Sequence, residues 1–358
     1  EEDPESWSVP PVIQEATWTN YALPENASDK KKGVAAEAAA VPDDAYSDGK
    51  IVDRAIEALR TFRNEGTPFF LAVGFLKPHL PFCAPKRYWD LYDRSSFATV
   101  QHTERTSNVS AYAYPDHAEL GGYTDIPSDE QLSAEQINKL RHGYYACVSY
   151  IDALVGRLLE ALSACGLAEN TIVVLWGDHG YSLGEADHWC KQTNFERDTR
   201  VPLLIRVPNM AAPGVSTSAL VEYVDLYPTV AGLADLMPPP LIDGQTLEPI
   251  LDDPTANGRL YAMSQYARPW KKEDPEVMGY SIRSPTHRYT RWVQWPTRKI
   301  LAEELYDYGR LASIDHGPPI FVEASNQIDN PSEASVCNHM RDALDAVLRR
   351  RIRPVVAQ

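Results

Sequence analysis

Two short polar clusters in this chain stand at the ends of apolar runs. Lys77-Pro78-His79 follows Phe69-Phe70-Leu71-Ala72-Val73-Gly74-Phe75, and Asp178-His179 follows Thr171-Ile172-Val173-Val174-Leu175-Trp176-Gly177, with Lys191 a little further on. In open α/β sheets ligands bind beyond the carboxyl ends of the strands, because loops and helix N-termini converge there. Asp178 offers a hard oxygen ligand for Ca²⁺ or Mg²⁺, while His79 and Lys191 can hydrogen-bond a tetrahedral oxyanion and protonate its leaving group. His179 either completes the metal site or touches the anion, imidazole being an uncommon ligand for a hard cation. Each of these residues also has a plainer role. A carboxylate after a strand is often a helix cap, and a lone histidine is more often structural than catalytic.

The elements that must position these groups are legible in the apolar spacing. Ile51, Val52, Ala55, Ile56, Leu59 and Phe62 fall on one helical stripe, with Ser47 or Asp48 able to cap it and Gly66 placed to stop it. A buried strand, Phe69 to Phe75, is expected next. Ser133-Ala134-Glu135-Gln136 has capping-box form, and Ile137, Leu140, Tyr144, Val148, Ile151, Val155, Leu158 and Leu162 continue at helical spacing to Cys165-Gly166. A second strand, Thr171 to Trp176, and a third run, Pro202 to Val207, follow. Helix and apolar strand, twice over, predict a parallel sheet covered on both faces. After about Pro240 the short runs Leu260–Tyr266, Met278–Arg283 and Tyr289–Trp295 predict a smaller antiparallel sheet, and Met340, Leu344, Val347 and Leu348 a closing helix. The expected division is therefore a large catalytic domain over 1–240 and a smaller subdomain over 241–358. The first 45 residues show no sustained period and read as a surface segment.

A chain of 358 residues with 44% apolar residues can bury a substantial core. Its 50 acidic residues against 34 Lys and Arg argue against a nucleic-acid surface, so an anionic substrate would need a local basic pocket. No apolar run approaches the ~20 residues that cross a bilayer, and the chain reads as soluble. Five cysteines without CxxC spacing give weak zinc or redox readings. Two glycosylation sequons, at Asn26 and Asn108, fit a secreted or lysosomal route, with a bacterial periplasm as the alternative. The chain opens Glu1-Glu2-Asp3-Pro4 rather than with Met, and an upstream piece is expected.

Several segments together resemble the sulfatase family. Phe69 to Phe82, with Lys77-Pro78-His79 inside it, resembles the segment that brings a histidine to the sulfate. Trp176 to Glu185 resembles the second metal-binding segment, and His188 to Glu196 resembles the segment of the sulfate-binding lysine, followed by Arg200-Val201-Pro202-Leu203. Val224 to Thr229 and Met278 to Arg283 are similar to the iduronate-2-sulfatase branch. The resemblance covers roughly residues 45 to 310, in the family's order. It implies the alkaline-phosphatase-like α/β sandwich, with a central mostly parallel sheet and a smaller C-terminal antiparallel sheet. It also implies hydrolysis of a sulfate ester, on a sulfated sugar or glycosaminoglycan, by a formylglycine beside Ca²⁺. Carried over by residue, Asp178 and His179 go to the metal and His79 and Lys191 to the sulfate or leaving group. Lys77 is a further substrate-binding candidate.

The family pattern begins with an apolar strand ending in two aspartates and a Cys-x-Pro-x-Arg motif, both expected before Ser47, where neither stands. The nucleophile is accordingly unknown. Asp43-Asp44 and Asp252-Asp253 read as turn or solvated pairs. Cys83-Ala84-Pro85-Lys86-Arg87 satisfies the motif but lies just after His79, and reads as a coincidence, with Cys83 in a loop and Pro85 opening a short helix. The chain after Asp307 also departs from the family, around Gly317-Pro318-Pro319-Ile320. A processed sulfatase piece partnered by its own missing N-terminal segment is the leading expectation. An inactive anion-binding fragment and a phosphatase or phosphodiesterase of the same fold are the alternatives.

Overall fold

A computed structural model describes residues 3–12, 20–29, 32–116, 119–127, 131–270, 274–309 and 323–351. The departure expected around Gly317 to Ile320 lies outside these residues. The chain packs as two compact units, residues 1–99 with 118–170, and residues 100–117 with 171–358.

The first unit holds β1 (Ala36–Ala39), α1 (Ser47–Glu65), β2 (Phe82–Pro85), α2 (Lys86–Trp89) and α3 (Ala134–Ala164). Helix α1 ends at Gly66 in the left-handed region as its spacing predicted, and α3 begins with the reciprocal Ser133/Gln136 capping box. Val52, Ala55 and Leu59 of α1 are buried, as are Leu140, Ala146, Tyr150 and Leu154 of α3, and the two helices pack together. Gly143 lets α3 approach β2 closely, since a Cβ there would stand 2.8 Å from Phe82 Cβ.

Four expectations for this unit are corrected. Residues 35–39 are not a surface segment: Ala36–Ala39 forms a strand parallel to β2, with Ala35, Ala36 and Ala39 in the core. Alanines carry little β signal, and packing against Phe82–Pro85 decides their state. Cys83 is a buried strand residue rather than a loop residue, and Pro85 stands at the N-cap of α2. Phe69 to Phe75 is not a buried, paired strand. Its residues alternate between half-buried and exposed, Phe70 is 71% exposed, and the run pairs with no strand among the described residues. Phe62 stacks on Phe69 with centroids 4.5 Å apart, which ties its start to the end of α1. Asp43, read as a turn or solvated residue, is buried, paired with Arg87 and hydrogen-bonded by Tyr88 Oη.

The second unit holds β3 (Val173–Trp176), β4 (Ser182–Leu183), β5 (Trp189–Cys190), α4 (Glu196–Thr199), β6 (Leu203–Arg206), α5 (Leu226–Leu233), α6 (Glu248–Asp252), then β7 (Ala262–Arg268), β8 (Val277–Arg283), β9 (His287–Gln294), β10 (Ile300–Asp307) and α7 (Ala334–Arg351). Strands β3 and β6 share a sheet as expected, but they run antiparallel, whereas β1 and β2 run parallel. A run of apolar residues predicts burial and is silent on strand direction. The predicted C-terminal sheet is four-stranded, in the order β10-β9-β8-β7. Its period-2 alternation sends Tyr280, Ile282, Tyr289, Val293 and Leu305 toward Cys337, Met340 and Leu344 of α7. Val277, Trp292 and Tyr306 pack on Ala113, Tyr114 and Phe195. No helix among the described residues is long and apolar enough to cross a membrane.

Candidate active site

Lys77 and His79 belong to the first unit. Asp48, in the first turn of α1, does not cap its own helix, whose N-cap is Tyr46 with no side-chain bond. It is fully buried, and its Oδ1 accepts from the amides of Leu76 (2.6 Å) and Lys77 (3.4 Å), fixing the backbone where the extended run turns into Lys77-Pro78-His79. Burial raises the Asp48 pKa above the usual carboxylate range, opposed by the Lys77 charge, and Oδ2 has no hydrogen-bond partner. The Lys77 ammonium donates to the carbonyls of His79 (3.2 Å) and Pro81 (2.7 Å), closing the loop on itself. His79 Nδ1–H donates to Leu80 O (2.6 Å), leaving Nε2 facing Glu119 Oε1 at 3.3 Å. An imidazole fixed through Nδ1 presents Nε2 as its working nitrogen, for proton transfer or for an anion.

Cys83 is fully buried, and burial pushes its thiol far above the ordinary range despite the nearby Lys77 charge. A reactive cysteine needs a depressed pKa and access. Cys83 has neither.

Asp178, His179 and Lys191 belong to the second unit. The end of β3 gives way to Gly177, whose carbonyl accepts from Tyr223 Oη. Burial, and then the Asp178 charge, push the Tyr223 phenol up to about 12. The Asp178 side chain is 84% exposed, its Oδ1 accepting from the His179 amide at 3.0 Å. His179 Nδ1–H donates to Gly180 O (2.8 Å), and Nε2 lies 3.5 Å from Asp178 Oδ2. Gly180 is required here, because a Cβ would stand 1.7 Å from Arg197 O. The hairpin β4–β5 then delivers Lys191, which is only 9% exposed. Its ammonium lies 5.9 Å from the Tyr181 ring centroid, and Tyr181 Oη donates to Cys190 Sγ at 3.1 Å. Cys190 (φ 75°) and Gln192 (φ 86°) flank it in the left-handed region. Beyond them, Asp198 accepts from Ser182 Oγ (3.1 Å), Thr193 N (3.0 Å) and Thr193 Oγ1 (2.7 Å), with His188 Nε2 at 3.4 Å.

The supporting residues Asp48, Glu119, Asp198 and His188 are not marked as site residues by local sequence pattern. Only Asp48 had a signal, as a cap, and its target proved to be the loop rather than the helix.

Two donors with one carboxylate so exposed do not make a Ca²⁺ site, which takes six to eight oxygen ligands. Among the described residues no group of three or more His, Cys, Asp or Glu side chains is placed to hold a metal ion. Asp178 and His179 therefore do not fit that ion on their own.

The model of the family described as Sulfatase matches residues 10–236, and that described as N-sulphoglucosamine sulphohydrolase, C-terminal, matches residues 184–350. The iduronate 2-sulfatase of Mus musculus is 32% identical over 84% of this chain and 66% of its own length. The chain thus spans just under two thirds of that relative. Among solved structures, the phosphonate monoester hydrolase SpPMH from Silicibacter pomeroyi superposes with a TM-score of 0.72 at 20% identity, over 88% of this chain and 62% of that one. A protein solved in complex with its substrate D-glucosamine-2-N,6-O-disulfate superposes with a TM-score of 0.68 at 21% identity, over 85% and 70%. These likenesses place the fold in the alkaline-phosphatase-like α/β class with a small C-terminal antiparallel sheet.

Proposed function

Because this chain belongs to the sulfatase family, we propose that it supplies part of the active site of a sulfuric ester hydrolase acting on a sulfated sugar, of the iduronate-2-sulfatase kind. The observation that carries this reading is Lys191, a nearly buried cation held at the end of a hairpin between two left-handed residues. A lysine presented on so constrained a backbone suits a fixed tetrahedral anion better than a solvated surface role. In this reading Lys191 and His79 Nε2 bind sulfate oxygens, and His79 gives a proton to the leaving alcohol. Lys77 is the weaker contact, since two carbonyls already engage its ammonium. The same reading keeps a catalytic division at about residue 240.

The nucleophile and the remaining metal ligands come, in this proposal, from a segment outside these 358 residues that bears an aspartate pair and Cys-x-Pro-x-Arg. The buried, high-pKa Cys83 supports that assignment. The route is lysosomal or secreted, with a periplasmic one as the alternative. A second reading, an anion-binding piece without catalysis, is favoured by the exposure of Asp178. Aryl-sulfate turnover decides between them. The chain alone should turn over negligibly and gain activity with the added segment, and Lys191→Ala should lower that activity about a hundredfold. Robust turnover by the chain alone, lost on Cys83→Ala, would overturn the proposal.

A further inference from the structure

We infer that Arg268, at the end of β7, is a positioning residue for Lys191, holding its loop through the Gln192 carbonyl. The inference rests on the reading above, since it concerns the lysine proposed to bind sulfate.

Arg268 is 4% exposed, and among the described residues every hydrogen bond of its guanidinium goes to a backbone carbonyl. Nε donates to Tyr112 O (3.0 Å) and Tyr114 O (3.1 Å), Nη1 to Ala267 O (3.1 Å), and Nη2 to Ala113 O (3.4 Å) and Gln192 O (3.0 Å). Among the described residues no carboxylate hydrogen-bonds to it. The group lies against the rings of Tyr266 (4.7 Å) and Trp292 (5.4 Å). Burying a cation whose hydrogen bonds all go to carbonyls is costly, and burial draws the Arg268 pKa below its ordinary value, opposed by the charges of Tyr266, Asp116, Glu304 and Asp198. Such an arrangement persists where the carbonyls themselves need a donor.

The carbonyl of Gln192 is the informative one. Non-glycine residues at φ above zero carry backbone strain that survives only when the surroundings over-determine it. Cys190 is fixed from one side by its pairing with Ser182, and Thr193 and Asn194 are fixed from the other by Asp198, Ser264 and Gly279. Between these anchors Arg268 holds Gln192 O. It also ties the 112–114 turn to the same point, so strand, turn and lysine loop share one planar fork. Lysine cannot copy this, because a point charge lacks the guanidinium's fixed set of five donors.

The test is amide hydrogen exchange by mass spectrometry on the full chain, in wild type, Arg268→Lys and Arg268→Met. A second probe is the ¹³C-methylated-lysine NMR signal of Lys191, assigned by its loss in Lys191→Arg and titrated with inorganic sulfate. Exchange across residues 189–194 should quicken by about tenfold in both variants, the effect of losing a buried hydrogen bond, while strands β8 to β10 keep their protection. The Lys191 signal should shift and respond more weakly to sulfate. Unchanged exchange at 189–194 in a folded variant overturns the inference. So does loss of protection throughout the second unit in both variants, which is how a merely structural arginine behaves. If sulfate leaves the wild-type Lys191 signal unmoved while the exchange result holds, the functional reading fails and the positioning role stands.

Discussion

At the scale of single residues, burial separates two groups that sequence treats alike. Cys83 sits in a motif that can supply a nucleophile, yet it lies fully inside β2 with its thiol pushed up, whereas Lys191 has a surface residue's composition and is nearly buried. Cys83→Ala should therefore cost stability, about 1–3 kcal/mol for a truncated core side chain, and leave turnover of the completed enzyme unchanged. Lys191→Ala should lower kcat/KM about a hundredfold, as loss of one transition-state donor does. Melting curves and steady-state kinetics on the two variants check this. Glu304 gives a pH prediction. It is buried under Trp292 Nε1 and Tyr306 Oη, and burial raises its pKa from 4.5 to about 7, against those two hydrogen bonds. The folded state then holds a proton that the unfolded state releases between pH 4.5 and 7, so stability is present below the unfolded value and is lost as pH rises through the folded one. Glu304→Gln should flatten the fall in melting temperature between pH 5 and pH 7.5. An unchanged slope would exclude Glu304 as its source.

At the scale of elements, the capped helix α3 and the run with no partner strand among the described residues behave oppositely. The Ser133/Gln136 box satisfies two N-terminal donors of α3, and Ser133→Ala should cost about 1 kcal/mol, read as a lower midpoint in urea with an unchanged slope. The Phe69 to Phe75 run has strand composition, an exposed Phe70 and no partner strand among the described residues, which makes it an adhesive edge. Phe70→Asp should reduce light scattering of the isolated chain and leave its melting temperature nearly unchanged, because a side chain 71% exposed contributes little burial. A large drop in melting temperature would show that Phe70 is a core residue.

At the scale of the whole molecule, the proposed completing segment and the metal belong together. Two donors at Asp178 and His179 cannot bind Ca²⁺ strongly, so calorimetric melting of the chain alone should not respond to calcium, and the chain co-expressed with the segment should melt later when calcium is added. A calcium-stabilised, cooperative transition in the chain alone would contradict the proposal.

Helical spacing made α1, α3 and α7 legible in the sequence, with Gly66 marking the end of α1 and the capping box the start of α3, because a stripe of apolar side chains is a local property. The four-stranded C-terminal sheet was legible through its aromatic and β-branched runs, and His79, Asp178 and Lys191 were singled out by chain position and residue type. Tertiary structure alone decided the rest. It made a strand of Ala36–Ala39, set β3 and β6 antiparallel, left Phe69 to Phe75 without a partner strand among the described residues and placed Cys83 inside the core. It also sent the Asp48 carboxylate to the Lys77 loop and the Arg268 fork to Gln192. Strand partners and the targets of buried polar groups depend on residues far apart in the chain. Local composition states what a side chain can bond, and only packing determines which distant backbone group it meets.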